Sequence, residues 1–230
     1  MIEEPPLLSI LPRGRRNRPT VEQIDAFREV PTGFVADAMG GSGALDYRIK
    51  PLPGLAARLV GPALTCDSGP ADLLALMGAL SQVQAGDVIV HATGPWLGCA
   101  TLGDRVCGMA RNAGAAGIVT DGLARDLVGI QDVGLPLFCQ GLSPNSPFSK
   151  GPGTIGQPVT VGGHPVASGD MIVADADGVV VVPFALIDTV IARLCEIAAL
   201  EEALDAKVAD GLTLPGAIAD LLASDQVREV

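Results

Sequence analysis

The stretch GDVIVHATGPWLGCATLGDRVCGMARNAGAAGIVTDGLARD, residues 86–126, decides the fold of this chain. Within it, residues 87–91 and 117–121 are short runs rich in valine and isoleucine, the composition of buried strands. Between these runs, apolar residues recur at helical spacing at Val106, Met109, Ala110 and Ala113, and Gly114 supplies a helix end. This alternation predicts a strand, a helix and a second strand in an α/β domain.

The preceding sequence extends the same pattern. Thr20 and Gln23 fit a capping box, which predicts a short helix to about residue 29. A second helical turn follows Pro31 and ends near Gly40. The further elements predicted up to residue 139 are a strand within 56–66, an amphipathic helix within 72–84 and a strand at 135–139.

The sequence changes character after a Pro/Gly-rich loop at residues 141–158. Strand signals follow at 159–161, 171–174 and 179–182, separated by glycine turns. Residues 183–210 then carry apolar positions at steps of three and four, which predicts one long helix with a stop at Gly211, and a short helix is expected at 215–222. We predict a layered α-β-β-α sandwich, with a swivelling phosphohistidine-like core and a long C-terminal helix.

Three segments are expected from this pattern. Residues 1–19 combine Pro, Gly and the basic cluster Arg13-Gly14-Arg15-Arg16-Asn17-Arg18, which favours a flexible, solvated N-terminal arm; binding of an anion or of an acidic subunit is the alternative. Residues 20–182 form the α/β core. Residues 183–230 form a helical extension, which we expect to pack on a neighbouring subunit.

Composition limits the classes of partner. The 230 residues are 48% apolar and only 18% charged, which is typical of a tightly packed domain. A net charge of −11 repels nucleic acid and anionic membranes, so small molecules, cations or other subunits are the expected partners. The five cysteines have no paired spacing, which fits a reducing compartment. Without an 18-residue apolar run or a signal-peptide pattern, we expect a cytoplasmic protein.

One constellation of residues has the character of a reaction centre. Asp104 is followed, after twenty residues, by Arg125-Asp126. Asp104 falls in the first turn of the predicted helix, where the amides of residues 102–105 can hold an anion, and Arg125-Asp126 follows the carboxyl end of a predicted strand. Two carboxylates that share one divalent cation beside a guanidinium can bind and polarise a keto acid. A helix cap at Asp104 and a surface ion pair at Arg125-Asp126 are the alternatives.

Other polar residues have structural explanations. His91 and His164 lack ligand spacing and are expected to be structural or solvent-facing. Asp72 is expected to cap its helix, although the outer shell of a metal site is an alternative. Asp121 fits an Asp-Gly turn or a group that orients Arg125.

The spacing resembles a known family. Gly103-Asp104 and Arg125-Asp126, with Val119-Thr120-Asp121-Gly122 before the second pair, are similar to the signature of class II 4-hydroxy-4-methyl-2-oxoglutarate/4-carboxy-4-hydroxy-2-oxoadipate aldolases and the related regulators of ribonuclease E activity. The resemblance spans roughly residues 30–210, and includes the segments 61–65, 86–88 and 175–183.

The resemblance implies a catalytic centre that uses Mg²⁺ or Mn²⁺. In this family pattern Asp126 ligates the metal directly and Asp104 ligates it through water, while the keto and carboxylate oxygens of the pyruvyl group chelate the ion. The substrate carboxylate is held by the amides of Leu102, Gly103, Asp104 and Arg105. Arg125 stabilises the oxygen charge that develops during carbon–carbon cleavage, and a metal-associated water carries the proton. No Schiff-base lysine is implied.

The resemblance also implies an oligomer, a homotrimer or a hexamer of two trimers. Family members with aldolase activity send a glutamate from a C-terminal helix into the neighbouring site, as a further group at the metal. Glu201 occupies that position here, with Glu202 as the rival and an exposed acidic helix face as the alternative.

The implied activity is cleavage of a 4-hydroxy-2-oxo di- or tricarboxylic acid to pyruvate and a second keto acid, a step of aromatic compound catabolism, together with oxaloacetate decarboxylation. The alternative is a non-catalytic regulator of a ribonuclease. The regulator branch typically lacks the C-terminal extension, whose presence here favours the enzyme.

Overall fold

A computed structural model of the chain describes residues 6–228. The strands of this part are β1 (Leu8–Ile10), β2 (Lys50–Pro51), β3 (Leu59–Asp67), β4 (Val88–Ala92), β5 (Ala100–Leu102), β6 (Gly117–Thr120), β7 (Leu123–Ala124), β8 (Leu137–Cys139), β9 (Gly153–Ile155), β10 (Val159–Val161), β11 (His164–Val166), β12 (Met171–Asp175) and β13 (Gly178–Val182). The helices are α1 (Val21–Asp25), α2 (Thr32–Ala38), α3 (Leu74–Ala79), α4 (Asp104–Asn112), α5 (Leu127–Val133), α6 (Ile187–Ala209) and α7 (Gly216–Leu222).

The central sheet has the strand order β1-β9-β3-β4-β6-β8-β2. Its middle strands β3, β4, β6 and β8 pair in parallel with one another, as the alternating pattern predicts, whereas β9 joins β3 and β2 joins β8 in antiparallel fashion. The antiparallel pair β12–β13 joins the first half of β3, residues 59–62. The second half of β3, residues 63–67, pairs with β4. Two small sheets, β10–β11 and β5–β7, complete the β structure of residues 6–228.

The predicted α-β-β-α layering is confirmed by three apolar clusters. One face of the central sheet packs against α3, α4 and α5. The opposite face packs against the inner side of β10–β13. The outer side of β12–β13 packs against α2, α6 and Phe27, which follows α1. Alternate residues of one strand therefore enter different cores: Ile172 faces the inner cluster, whereas Met171 and Val173 face the outer one.

A local capping box begins α1, whereas a contact from a distant part of the chain begins α2. The Thr20 hydroxyl accepts from the Gln23 amide at 3.2 Å and the Gln23 side chain accepts from the Thr20 amide at 2.9 Å, so the predicted capping box is present. Helix α1 nevertheless ends at Asp25 rather than near residue 29. Asp175, at the end of β12, accepts from the amide and the hydroxyl of Thr32, both at 2.8 Å, and thereby fixes the start of α2.

The N-terminal segment differs from the predicted flexible arm. Strand β1 pairs in parallel with β9, which itself lies inside the segment predicted as a loop. Arg18 forms an ion pair with Asp87 at 2.5 Å, and Arg13 donates to the carbonyl oxygen of Ser81 at 2.8 Å. The basic cluster is therefore partly used to fasten the segment to the core, which a pattern of Pro, Gly and Arg does not reveal. Residues 1–5 lie outside the described part.

The C-terminal helices agree with the prediction in position. Helix α6 has 23 residues and is followed by Gly211 at φ +94°. Its first half is buried through Ile187, Val190 and Leu194, whereas Leu200 is 70% exposed. In residues 6–228, no helix combines the length and the apolarity needed to cross a bilayer. Residues 229–230 of the predicted extension lie outside the described part.

The residues expected to be structural are placed accordingly. His91 lies in β4, fully buried, with Nε2 3.0 Å from the hydroxyl of Ser68, and burial lowers its pKa to about 3. Asp72 accepts from the Leu74 amide at 2.7 Å at the beginning of α3 and from the Lys150 amide at 2.6 Å. Asp72 therefore bonds the first amide of α3 as predicted, although it lies one residue before the N-cap Leu73, and it makes a second contact to the loop before β9.

Candidate active site

The candidate site lies beyond the carboxyl ends of β4 and β6. From β4 the chain runs through residues 93–99 into β5, and from β6 it passes Asp121 and Gly122 into β7. Helix α4 begins one residue after the end of β5, beyond Gly103, and Arg125-Asp126 separate β7 from α5. Loops at the carboxyl ends of parallel strands are the usual place for ligand sites in α/β proteins.

A short parallel pairing brings the two halves of the motif together. Ala100 and Leu102 of β5 pair with Leu123 and Ala124 of β7. The amide of Arg125 then donates to the carbonyl oxygen of Leu102 at 3.1 Å. The twenty residues between Asp104 and Arg125 therefore include most of α4 and the strands β6 and β7, which bring Arg125 back beside Leu102.

Asp121, which follows β6, links this segment by hydrogen bonds to Thr93, which follows β4. One carboxylate oxygen of Asp121 accepts from the Thr93 amide at 2.8 Å and from the Thr93 hydroxyl at 3.1 Å. Burial raises the pKa of Asp121, because loss of hydration outweighs the hydrogen bonds from Thr93. A Cβ on Gly122 would lie 2.8 Å from the Thr101 hydroxyl, so this glycine is required by close packing. Asp121 thus positions the backbone at Thr93, whereas the side chain of Arg125 has other partners.

Asp126 is held in an uncommon conformation. It precedes α5 with φ 62° and ψ 46°, the left-handed region that a residue with a Cβ seldom adopts. Its carboxylate lies over Gly103, since a Cβ on Gly103 would come within 2.7 Å of Asp126 Oδ2. The backbone therefore directs the Asp126 carboxylate onto the beginning of α4.

Asp104 occupies the other side of the site. It is the first residue of α4, and its Oδ1 accepts from the Arg105 amide at 2.7 Å. A Cβ on Gly129 of α5 would lie 2.7 Å from both Cβ and Oδ2 of Asp104, so α4 and α5 approach closely at this point. Because the Arg105 amide is already bonded, the amides before it are the better candidates for holding an anion.

Arg125 is oriented from two sides. Its Nε lies 3.4 Å from Asp126 Oδ2, and Nη1 donates to the hydroxyl of Ser146. Ser146 belongs to the loop that follows β8, whose Asn145 carbonyl oxygen accepts from the Ala100 amide at 3.1 Å. The loop at residues 143–147 therefore supports both β5 and the guanidinium.

These residues surround one pocket of about 510 Å³. The predicted residues that line it are Leu102, Gly103, Asp104, Arg105, Arg125 and Asp126. Leu73, Val106 and Pro147 complete the lining, and sequence reasoning did not assign them to the site. Ser146 and Gly129 were also missed; the loop around Ser146 carries no motif, and a glycine in a helix gives no signal of what approaches it. Glu201 and Glu202 lie on α6 and do not line this pocket, so their role in a neighbouring site stays a prediction.

The oxygen donors of the pocket suit a hard divalent cation. Asp104 and Asp126 supply carboxylate oxygens, the ligands that Mg²⁺ and Mn²⁺ prefer. Within the described chain, no group of three or more His, Cys, Asp or Glu side chains is placed to hold an ion. Mg²⁺ commonly binds through one or two carboxylates and completes its shell with water or substrate oxygens. The residues present therefore fit such an ion and not a closed zinc site.

Comparison with known proteins finds a family, a relative and solved structures that are similar to this chain. The family described as RraA-like, Aldolase/RraA, matches residues 32–181. A protein of Halalkalibacterium halodurans, described as "Putative 4-hydroxy-4-methyl-2-oxoglutarate aldolase", is 36% identical over 84% of this chain and 91% of its own length. An uncharacterized protein from Pseudomonas syringae pv. tomato has a similar crystal structure, with a TM-score of 0.74, 27% identity and coverage of 86% of this chain and 93% of that one. Streptomyces coelicolor RraAS2, described as an unusual member of the RNase ES inhibitor RraA protein family, has a TM-score of 0.71 at 28% identity, over 83% of this chain and 100% of that one.

Proposed function

The chain belongs to the RraA-like, Aldolase/RraA family, and from this premise we propose that it is a divalent-metal-dependent pyruvate aldolase. Its substrates are 4-hydroxy-2-oxo di- or tricarboxylic acids, such as 4-hydroxy-4-methyl-2-oxoglutarate or 4-carboxy-4-hydroxy-2-oxoadipate. The products are pyruvate and a second keto acid, and oxaloacetate is decarboxylated at the same site. The observation that carries the proposal is the convergence of Asp104, Arg125 and Asp126 on one pocket.

Asp126 and Asp104 are the residues that would hold Mg²⁺ or Mn²⁺. When bound, such an ion supplies Lewis-acid polarisation of the keto oxygen. The uncommon backbone of Asp126 supports this assignment, because strained conformations of this kind cluster at functional sites.

The protein groups then have separate tasks. The amides before Arg105, at the beginning of α4, bind the carboxylate of the pyruvyl group, where the helix dipole favours negative charge. Arg125 stabilises the negative charge that develops on oxygen as the carbon–carbon bond breaks. A guanidinium keeps its own proton, so Arg125 acts through charge and hydrogen bonds rather than as a base. Ser146 limits the movement of that guanidinium and thereby positions it.

The C-terminal extension supports an oligomeric enzyme. Leu200, Leu204 and Val208 on the second half of α6 are 70%, 42% and 56% exposed. Apolar residues exposed along one helix commonly mark a protein interface. We propose that this half packs on a neighbouring subunit of a homotrimer or hexamer, and that Glu201 enters the neighbouring site. Light scattering of the purified protein measures the oligomeric state directly, and a monomer contradicts this part of the proposal.

The test of the activity is release of pyruvate from both proposed substrates with Mg²⁺ or Mn²⁺. Asp126→Ala is expected to lower kcat/KM by about 100-fold or more, since the ion loses its direct protein ligand. Asp132→Ala is the matched control, because Asp132 is an exposed carboxylate on α5, the helix that Asp126 precedes. No release of pyruvate, or equal activity of Asp126→Ala and the parent, contradicts the proposal.

A non-catalytic regulator of ribonuclease activity is the second candidate. The observation that favours it is the similarity to Streptomyces coelicolor RraAS2, which extends over 83% of this chain. The two functions are separated by their response to metal. Capture of a purified ribonuclease that is unchanged by Asp126→Ala and by removal of divalent metal, without pyruvate release, favours the regulator.

A further inference from the structure

Arg105 is a cation of the pocket whose guanidinium has no partner among residues 6–228. It lines the pocket, its side chain is exposed, and no ion pair found within residues 6–228 includes it. Its backbone amide is bonded to Asp104, but its guanidinium is absent from the side-chain hydrogen bonds of this part of the chain. The five donors of the Arg105 guanidinium are therefore open to a ligand.

The position of Arg105 is unfavourable for the helix itself. It is the second residue of α4, where the positive end of the helix dipole repels a cation. The residues three and four positions later are Gly108 and Met109, so no carboxylate lies at the spacing that forms helix-surface pairs. The carboxylates of the pocket form no ion pair with Arg105 within residues 6–228 either, so its guanidinium is available to something outside the helix.

The other guanidinium of the pocket is already engaged. Arg125 donates to Ser146 and lies 3.4 Å from the Asp126 carboxylate. The pocket also carries the negative charges of Asp104 and Asp126. A substrate with one carboxylate can use the amides before Arg105 at the beginning of α4, but a second carboxylate needs a further hydrogen-bond donor, and a cation is the strongest kind. Arg105 is the lining residue that offers one.

We propose that the guanidinium of Arg105 binds the second carboxylate of the substrate, the one beyond the pyruvyl group. This makes Arg105 the residue that selects dicarboxylic over monocarboxylic 2-oxo acids, an inference that rests on the proposed function of the same pocket. The planar guanidinium matches a carboxylate through two parallel hydrogen bonds, a geometry that an ammonium group does not reproduce.

Binding of two matched acids tests this assignment. 2-Oxoglutarate carries a carboxylate where 2-oxopentanoate carries a methyl group, and both share the same pyruvyl end. Calorimetry of the full chain with Mg²⁺ gives the ratio of their dissociation constants. Arg105→Met keeps an unbranched side chain without charge, and it is expected to lower the preference for 2-oxoglutarate by about 10- to 100-fold. Arg105→Lys is expected to restore part of the preference.

Arg15→Met is the control, since it removes the same charge from the exposed N-terminal segment. Its ratio of dissociation constants is expected to equal that of the parent. An unchanged ratio in Arg105→Met, or an equal loss in Arg15→Met, overturns the proposal, as does a parent protein without preference for 2-oxoglutarate.

Pyruvate release from 4-hydroxy-4-methyl-2-oxoglutarate, measured on the same proteins, separates the two levels of inference. Loss of the binding preference in Arg105→Met, with no turnover by the parent, supports the carboxylate site and contradicts the aldolase. Turnover by the parent with an unchanged preference in Arg105→Met contradicts the role of Arg105 alone.

Discussion

Replacing Gly103 by alanine tests the geometry of the site at a single atom. The added Cβ would lie 2.7 Å from Asp126 Oδ2 and 3.3 Å from Arg125 Cγ, whereas ordinary contacts begin at 3.4 Å. The Asp126 carboxylate must therefore retreat by about 0.7 Å, the shortfall between 2.7 and 3.4 Å. The backbone of residue 103 is extended, with φ −150°, so alanine fits it without strain.

The expected effect is a large loss of activity with little loss of stability. A misplacement of about 1 Å at a catalytic group can cost about 100-fold, so we expect kcat/KM for pyruvate release to fall by about 10- to 100-fold. Affinity for Mn²⁺ should fall as well, since Asp126 is the proposed ligand. The free energy of unfolding should change by less than about 1 kcal/mol, because the carboxylate is partly exposed and can move into solvent.

Gly108→Ala on the same helix is the matched control. Its Cβ would meet only Val133 Cγ2, at 3.8 Å, which is an ordinary contact. This variant is expected to keep the activity and to gain up to about 1 kcal/mol of stability from the higher helix propensity of alanine. Full activity and full Mn²⁺ affinity in Gly103→Ala would refute the placement of Asp126 over the beginning of α4.

Three further predictions concern stability and reactivity. The pKa of His91 is about 3 in the folded protein against 6.5 as its ordinary value, so the unfolded chain binds the extra proton between these pH values. Stability should fall as pH drops below 6.5, by up to about 1.4 kcal/mol per pH unit, and denaturant titrations of His91→Gln should show a flatter dependence. Arg18→Gln removes the ion-pair partner of the buried Asp87 carboxylate and should lower the free energy of unfolding by about 1–3 kcal/mol, whereas Arg15→Gln should change it by less than about 0.5 kcal/mol in the same urea titration. N-ethylmaleimide should label the exposed Cys195 first, because the other four thiols are buried; mass spectrometry that finds a buried site modified as fast contradicts the packing.

The sequence predicted those elements whose local residue pattern is enough to specify them. The runs at 87–91 and 117–121 are buried on both faces in the central sheet, and this burial explains their continuous apolar character. The capping box at Thr20 and the stop at Gly211 are local devices and appear as expected. Strands β1 and β9 were missed because each has only three residues and gains its partner from a distant part of the chain.

The sequence by itself determined the layered α/β class, the family and the residues of the central motif, because these depend on residue type and on spacing along the chain. Only the tertiary structure decided that Leu102 pairs beside Arg125, that Asp126 adopts a left-handed conformation and that Ser146 holds the guanidinium. It also showed that Gly103 and Gly129 are glycines because carboxylates lie against them. The physical reason is that such contacts depend on distances across the folded chain, which composition and periodicity do not encode.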